Sequence, residues 1–229
     1  MPQVMTREIA MRYGRSVLVV ALAAAAGSTQ AAGIGVRAGT TGIGADLGWG
    51  IAPTLGGRIG LSAINFSTHV ESDDVRYDAK AKLANLNALL DWSPLGPFRI
   101  SAGLIANNNK VDVTGEPSNG IFTINGNPYN ASQYGSLTGT VKSGRSVAPY
   151  LGIGYGNVWT KGVNFYFDLG IMFQGSPKVD LSLACGPSVT PAQCSQAQSD
   201  VEAEEAKLQD ELKRFKYFPV LNLGITIGF

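Results

Sequence analysis

Apolar and polar positions alternate along the final stretch of the chain, residues 215–229. Large apolar side chains occupy every second position from Tyr217 to Phe229, and small or polar side chains occupy most of the positions between them. Strict period two over this length predicts a β-strand with two unlike faces. A soluble sandwich and a closed sheet in lipid would both produce this pattern, so the rest of the chain has to decide between them.

The same alternation recurs along the chain, separated by turn residues. It predicts strands at residues 33–39, 42–51, 57–69, 75–92, 98–113, 146–159, 163–183 and 215–229. The first two are separate strands if Thr40 and Thr41 form a two-residue hairpin that pairs Gly39 with Gly42. A β-bulge in one long strand would explain the same change of parity. A second change of parity near Leu83 suggests a bulge in the fourth strand.

Connection lengths favour eight strands over seven. Short turns fall near Pro53, Pro94 and Lys161, and the longer connections, about 114–145 and 184–215, fall at the opposite end. Eight strands place both ends of the sheet on the side of the short turns, as in bacterial outer-membrane barrels. We therefore predict an all-β fold, an eight-stranded antiparallel transmembrane up-and-down β-barrel over residues 32–229, with one short extracellular helix.

The first 31 residues have the pattern of a cleaved signal peptide. Arg7, Arg12 and Arg15 precede an apolar segment at 16–27, and small residues follow at 29–31. That segment is too short to span a bilayer as a helix, although an N-terminal anchor is the alternative interpretation. The sequence leaves open whether translation starts at Met1 or Met11. Removing this segment leaves 15 basic and 16 acidic residues, a balance that does not fit a nucleic-acid-binding protein.

Tryptophan positions support placement in a membrane. Parity and strand ends put Trp49, Trp92 and Trp159 on the outer face at the end with the short turns, and Phe229 joins them. Aromatic side chains at one level form the girdle at a water–lipid boundary. A sandwich core would not segregate its tryptophans in this way.

The strand number, the turn pattern and the terminal aromatic residue together resemble the small eight-stranded outer-membrane barrels of Gram-negative bacteria, the group that includes OmpA, OmpX and OmpW. The resemblance covers the architecture of residues 32–229, and it carries no functional residue to this chain. It implies a monomer in the cell outer membrane after passage through the periplasm. Its implied partners are outer-membrane lipid and, during biogenesis, the barrel-assembly machinery.

Parity points six charged side chains into the predicted barrel. They are Arg37, Asp46, Arg58, Asp91, Arg99 and Asp168. Asp91 and Arg99 are expected to lie opposite each other across one turn, and Asp46 and Arg58 to be near neighbours across the previous one. An eight-stranded barrel is just wide enough to be filled by side chains, and buried charges are costly unless paired. We predict a network of ion pairs that plugs the barrel, and the alternative is a selectivity filter for a small solute.

Catalysis has weak support in the sequence. The single histidine, His69, shares a strand face with Ser67 and Glu71, which makes a surface lipid hydrolase conceivable. A polar strand end entering a loop explains the same residues more simply. No spacing of cysteine and histidine indicates a metal, so we expect a protein that is not an enzyme and has no cofactor.

The last long connection is predicted to form a structured cap. Cys185 and Cys194 are the only cysteines, and their close spacing in an oxidising compartment predicts a disulfide. A helix is expected at about 199–214, with Ser199 and Glu202 as its capping box. The predicted role is structural, or interaction with a small solute at the cell surface, with a narrow porin-like channel as the alternative.

Overall fold

The computed structural model describes residues 31–72, 75–117 and 120–229. Apart from Ala31, the predicted signal peptide therefore lies outside the described residues. In the described part, thirteen strands and two helices follow one another in chain order. They are β1 Ala32–Gly39, β2 Gly42–Ala52, β3 Leu55–Ser72, β4 Val75–Leu95, β5 Phe98–Asn107, β6 Lys110–Pro117, β7 Ile121–Ile124, β8 Asn127–Asn130, α1 Ala131–Tyr134, β9 Leu137–Lys142, β10 Val147–Tyr155, β11 Gly162–Met172, β12 Lys178–Leu183, α2 Pro191–Leu212 and β13 Phe218–Gly228.

Eight of these strands form a closed antiparallel ring. Its order is β1-β2-β3-β4-β5-β10-β11-β13, and β13 pairs with β1 to close it. Gly39 lies opposite Gly42, which settles the choice at Thr40 and Thr41 in favour of a hairpin. Closure pairs both sides of every strand over the length of the ring, so this part of the sheet has no free edge.

Burial alternates along the ring strands with the inner face covered and the outer face open. Apolar outer residues are well exposed, with 63% for Val36, 64% for Leu223 and 73% for Phe165. Polar and charged residues dominate the buried inner positions. The ring therefore reverses the usual arrangement of a protein in water, where apolar residues fill the core. Within the part of the chain that the structure describes, no helix is both long enough and apolar enough to cross a membrane.

The same sheet extends past one end of the ring, and β9 with the last residues of β6 comes from a segment that the sequence had predicted as a loop. The upper half of β4 pairs with β6, β6 pairs with β9, and β9 pairs with β12. We call these strands, together with the upper part of β3, the extension sheet. The prediction of a loop at about 114–145 was therefore wrong where the end of β6 and β9 lie, because strands that pair only with distant segments carry little local signal. The predicted strands 98–113 and 163–183 are each divided, with breaks at 108–109 and 173–177.

The bulge suspected near Leu83 is absent from β4. The register between β3 and β4 runs without a shift from the Leu55–Trp92 pair to the Ser72–Val75 pair. The change of pattern marks the place where β4 exchanges one neighbour for another, because β5 pairs up to Asn85 and β6 begins at Lys82.

Helix α2 begins eight residues before its predicted start at 199. Thr190 caps it, its side chain accepts from the backbone N–H of Gln193, and Gln193 closes a capping box that precedes the one expected at Ser199. Pro191 at the first turn favours this earlier start. The Cys185–Cys194 disulfide is confirmed, and it ties the first turn of α2 to the segment after β12.

Helix α2 covers the edge of the extension sheet. Its side chains Glu205 and Gln209 accept hydrogen bonds from the backbone N–H groups of Leu181 and Val179 at 2.8 and 3.1 Å. Gln209 also donates to the carbonyl of Pro177 at 2.6 Å. These contacts satisfy backbone groups of β12 that an edge strand would otherwise expose.

Candidate functional site

The interior of the ring holds all six charged residues that parity had pointed inward. Each is buried, with a residue exposure between 0% for Asp91 and 6% for Arg37. Three arginines face three aspartates, so the group is neutral in total. Burial of this many charges is tolerable only because every one of them has a partner of opposite sign.

Four of the charges form one connected cluster. Arg58 Nη1 lies 2.6 Å from Asp168 Oδ2, and Arg58 Nε lies 2.9 Å from Asp91 Oδ2. Arg99 Nη2 donates to Asp168 Oδ1 at 2.5 Å. Ser101 Oγ donates to Asp91 Oδ1, also at 2.5 Å. Since β3 and β11 stand four places apart in a ring of eight, the contact between Arg58 and Asp168 crosses the full width of the interior.

The other two charges form a second cluster beside the first. Arg37 Nη1 lies 2.5 Å from Asp46 Oδ1, and Arg37 Nη2 donates to Asn87 Oδ1 at 2.8 Å. Asp46 also accepts from the hydroxyl of Tyr166. The Tyr166 ring lies 5.7 Å from the Arg58 guanidinium carbon and 5.4 Å from that of Arg99. Tyr166 therefore joins the two clusters, by a hydrogen bond on one side and cation–π contacts on the other.

The two expectations from the sequence hold in part: Asp91 and Arg99 form an ion pair, and Asp46 and Arg58 lie diagonally on neighbouring strands. Asp91 lies opposite Ser101 rather than Arg99, and its distance to Arg99 Nε is 3.8 Å. The described ion pairs place Asp46 with Arg37, and Arg58 with Asp91 and Asp168. The shorter ion pairs were not expected from the turns, because an arginine side chain reaches diagonally, across a second strand or across the interior.

Glycines on the inner face leave space for the long side chains of Arg99 and Tyr166. A Cβ at Gly154, on the strand between β5 and β11, would lie 3.0 Å from the Arg99 guanidinium carbon. A Cβ at Gly224 would lie 2.1 Å from the Tyr166 ring. Sequence reasoning missed Tyr166 and Asn87 as members of the site. The signal available for Tyr166 was its inward parity two residues before Asp168, with inward glycines on the neighbouring strand.

Trp159 is not part of the outer girdle. Strand β10 ends at Tyr155, the chain turns at Gly156, and Trp159 folds back beneath the ring with only 9% of its surface exposed. A Cβ at Gly56 would lie 2.3 Å from its ring. The neighbouring Val158 is fully buried. The prediction for Trp159 was wrong because it extended the strand parity through a turn.

The other girdle candidates lie on the outer face. Trp92 is 50% exposed and Phe229 is 68% exposed. Trp49 is half-buried because its ring lies against Gly57 of the neighbouring strand, where a Cβ would come within 2.6 Å of it. These three residues stand at the end of the ring that carries the short turns, so a girdle at that level remains a prediction.

An apolar layer fills the other end of the interior. Leu89, Ile105, Tyr150, Met172 and Val220 pack together there. The cavity between this layer and the charges has a volume of about 10 Å³. That space is about enough for one water molecule, so side chains fill the ring nearly completely.

The three residues considered for catalysis, Ser67, His69 and Glu71, lie on the part of β3 that belongs to the extension sheet. His69 Nε2 lies 2.9 Å from Asp78 Oδ1 on the adjacent strand, and the His69 side chain is 71% exposed. The side chain of Glu71 lies outside the described residues. The described residues contain no group of three or more histidine, cysteine, aspartate or glutamate side chains placed to hold a metal ion.

Hydrogen bonds to Asp200 connect α2 to the β7–β8 hairpin. Asp200 accepts from the amides of Asn125 at 3.1 Å and Asn127 at 2.8 Å, and from the hydroxyl of Tyr129. These hydrogen bonds, first of all that from Tyr129, lower the pKa of Asp200 from 3.8 to about 2. Burial, together with the Asp200 carboxylate, raises the pKa of Tyr129 to about 12.

Solved structures supply the comparisons for this fold, since no protein-family model and no curated protein sequence matches the chain significantly. The crystal structure of Acinetobacter baumannii CarO aligns with a TM-score of 0.59 and 22% identity, over 86% of this chain and 97% of CarO. Acinetobacter baumannii CarO2 aligns with a TM-score of 0.58 and 24% identity, over 88% of this chain and 100% of CarO2. A major outer membrane protein from Thermus thermophilus gives a TM-score of 0.44, which is too low to support an argument. The chain thus shares its all-β fold with CarO and CarO2.

Proposed function

We propose that this chain is an integral outer-membrane β-barrel protein whose interior is plugged, and that it serves a structural or surface-interaction role. The observation that carries this proposal is the combination of an apolar outer face with a filled, charge-balanced interior. A closed sheet satisfies all of its backbone groups within itself, which is what a spanning structure in lipid requires. An eight-stranded barrel is the size at which side chains fill the inside.

Three layers support a closed rather than an open interior. Val158 and Trp159 cover the end of the ring with the short turns, and the arginine–aspartate clusters occupy the middle. The apolar layer that contains Tyr150 fills the far end. Helix α2 and the extension sheet stand beyond that layer and form the cap. The proposal treats the protein as a monomer, exported to the outer membrane and inserted there by the barrel-assembly machinery.

The experiment that tests this proposal is a fractionation combined with gel mobility. Expressed in a Gram-negative host, the protein should be recovered with the outer membrane and remain there after a carbonate wash. In SDS without heating it should migrate differently from the boiled sample, because a closed barrel resists the detergent. Recovery in the periplasm, with one mobility in both samples, is incompatible with a membrane barrel.

A narrow channel is the second candidate, and a specific observation favours it. The Tyr150 hydroxyl, Ser62 Oγ and Asn85 Oδ1 are buried without a hydrogen-bond partner in the described part of the chain. Such groups suit water or a small polar solute. Liposomes containing the protein, placed in a panel of amino acids and sugars, would swell if the interior opens to solutes.

A further inference from the structure

Four lysines stand in direct register across the extension sheet. Lys82 lies opposite Lys110, Lys110 opposite Lys142, and Lys142 opposite Lys178. We call these four residues the lysine row. Residues directly opposite in an antiparallel sheet share a face, so the four ammonium groups project from one side of the sheet.

This arrangement is unfavourable for the sheet itself. Like charges directly opposite on neighbouring strands destabilise the pair, and lysine is depleted in strands generally. Lysine on an edge strand guards against aggregation, but only Lys178 belongs to the edge strand β12. The other three lie on strands with a neighbour on both sides, so edge protection does not explain them.

Two carboxylates compensate the row only in part. Asp112 Oδ2 lies 3.1 Å from Lys110 Nζ and 3.9 Å from Lys82 Nζ, and Asp180 Oδ2 lies 3.0 Å from Lys142 Nζ. Lys178 has no ion pair among the described residues. Four positive charges therefore share two negative ones, and the side chains of Lys82 and Lys142 keep 51% and 53% of their surface exposed.

The row faces the same way as the outer, apolar face of the ring. On β4, Lys82 has the same parity as Leu86, Leu90 and Trp92, whose exposures are 53%, 55% and 50%. The outer positions of β4 between Trp92 and Lys82 are all apolar, so Lys82 is the first charge met on leaving the apolar band.

The distance along β4 places Lys82, the first member of the row, at the edge of a bilayer. Ten residues separate Trp92 from Lys82, which is about 33 Å along a strand. A barrel strand tilted by about 40° covers about 25 Å of height over that length, the height of the apolar band of outer-membrane barrels. With Trp92 at the inner water–lipid boundary, Lys82 stands at the headgroup level of the outer leaflet.

We propose that the lysine row binds phosphorylated headgroups of the outer-leaflet lipid. The inference rests on the membrane placement proposed above, and adds a named recognition surface and the chemistry that it recognises. Each lysine donates up to three hydrogen bonds and carries a full charge, which suits a phosphate group as a point contact. The row would fix the height of the barrel and orient the cap above the membrane.

The test uses the folded full-length protein in detergent with three probes. They are bisphosphorylated lipid A, the same lipid with its phosphates removed, and inorganic phosphate. The test variant replaces Lys82, Lys142 and Lys178 with glutamine. The control replaces three lysines outside the row, Lys161, Lys207 and Lys213, with the same loss of charge. Lipid bound per protein is measured by native mass spectrometry across a titration.

We expect the wild-type protein and the control to bind bisphosphorylated lipid A, and the row variant to bind it at least about tenfold more weakly. Each lysine near an anionic surface contributes roughly fivefold in affinity, which makes this a conservative expectation. The dephosphorylated lipid should bind all three proteins equally weakly. Inorganic phosphate at the same concentration should not displace the phosphorylated lipid.

Two results would overturn the inference while leaving the membrane placement intact. One is equal binding of lipid A by the row variant and the control. The other is displacement of the lipid by inorganic phosphate at matched concentration, which would assign the row to free phosphate instead. Unheated gel mobility of the same samples reports separately on the barrel, so a failure of the proposed function is distinguishable from a failure of the row.

Discussion

Replacing Asp168 with asparagine tests the interior network at its most connected point. The Asp168 side chain is 3% exposed and accepts hydrogen bonds from both Arg58 and Arg99. Asparagine keeps the volume but removes the charge, so two buried guanidinium groups are left to share the carboxylate of Asp91. Removing one partner of a buried charge pair typically costs about 3–5 kcal/mol. We expect a loss of that size in the free energy of unfolding.

The matched control is the same substitution at Asp180. Its side chain is 63% exposed and pairs with Lys142 at 3.0 Å on the extension sheet. An exposed pair of this kind contributes at most about 1 kcal/mol. Urea unfolding of both variants in phosphatidylcholine vesicles gives the two losses on one scale. Equal costs for Asp168→Asn and Asp180→Asn would refute the account of a buried, interdependent network.

A second substitution tests whether the cost arises from charge imbalance. Adding Arg99→Gln to Asp168→Asn restores equal numbers of positive and negative groups in the interior. The double variant should recover part of the loss, giving a coupling energy of about 1 kcal/mol or more between the two sites. Strictly additive losses would mean that Asp168 acts through packing rather than through its charge.

Three further predictions concern Trp159 beneath the ring and the cap formed by α2 and the extension sheet. Trp159→Ala should lower the free energy of unfolding by about 3–5 kcal/mol in the same urea assay, because it empties the space beneath the charges; a loss under about 1 kcal/mol would contradict the buried placement. The depressed pKa of Asp200 means that its contribution is complete above pH 3.8 and is lost as the pH falls towards about 2. The near-UV circular dichroism of Tyr129 should therefore change over that window, and a signal that changes equally in Asp200→Asn would contradict this assignment. Replacing Cys185 and Cys194 with serine should destabilise the cap by about 2–3 kcal/mol, seen as faster proteolysis of the helix with unchanged gel mobility of the unheated barrel; unchanged proteolysis would contradict the effect on the cap.

The ring was predictable from the sequence because its signal is local. Each ring strand carries its own alternation, and one consistent parity brought Arg58, Asp91 and Asp168 to the same buried interior. The hairpin at Thr40 and Thr41 followed from strand counting, even though the two residues are poor turn formers. An alternation with a period of two is visible within a single strand, so it can be recognised without information about tertiary contacts.

The extension sheet and the exact ion pairs were not predictable in the same way. Strand β9 pairs with β6 and β12, which lie about thirty residues before and forty residues after it, and no local pattern encodes that choice. The pairing of Arg99 with Asp168 depends on Gly154 leaving room on the strand between them. Trp159 was misplaced because the turn after Tyr155 ended the parity on which the prediction rested. Sequence periodicity therefore predicts neither which distant strands pair nor how side chains point after a turn.

Conductance in a planar bilayer tests the plugged barrel most directly. Wild-type protein, shown by its unheated mobility to be folded, is added to a bilayer in molar potassium chloride, with a known porin as the positive control. A filled interior with a cavity of about 10 Å³ predicts no stepwise current at moderate voltage. Regular ohmic steps from the wild-type protein would contradict the plug and would make the narrow channel the better account.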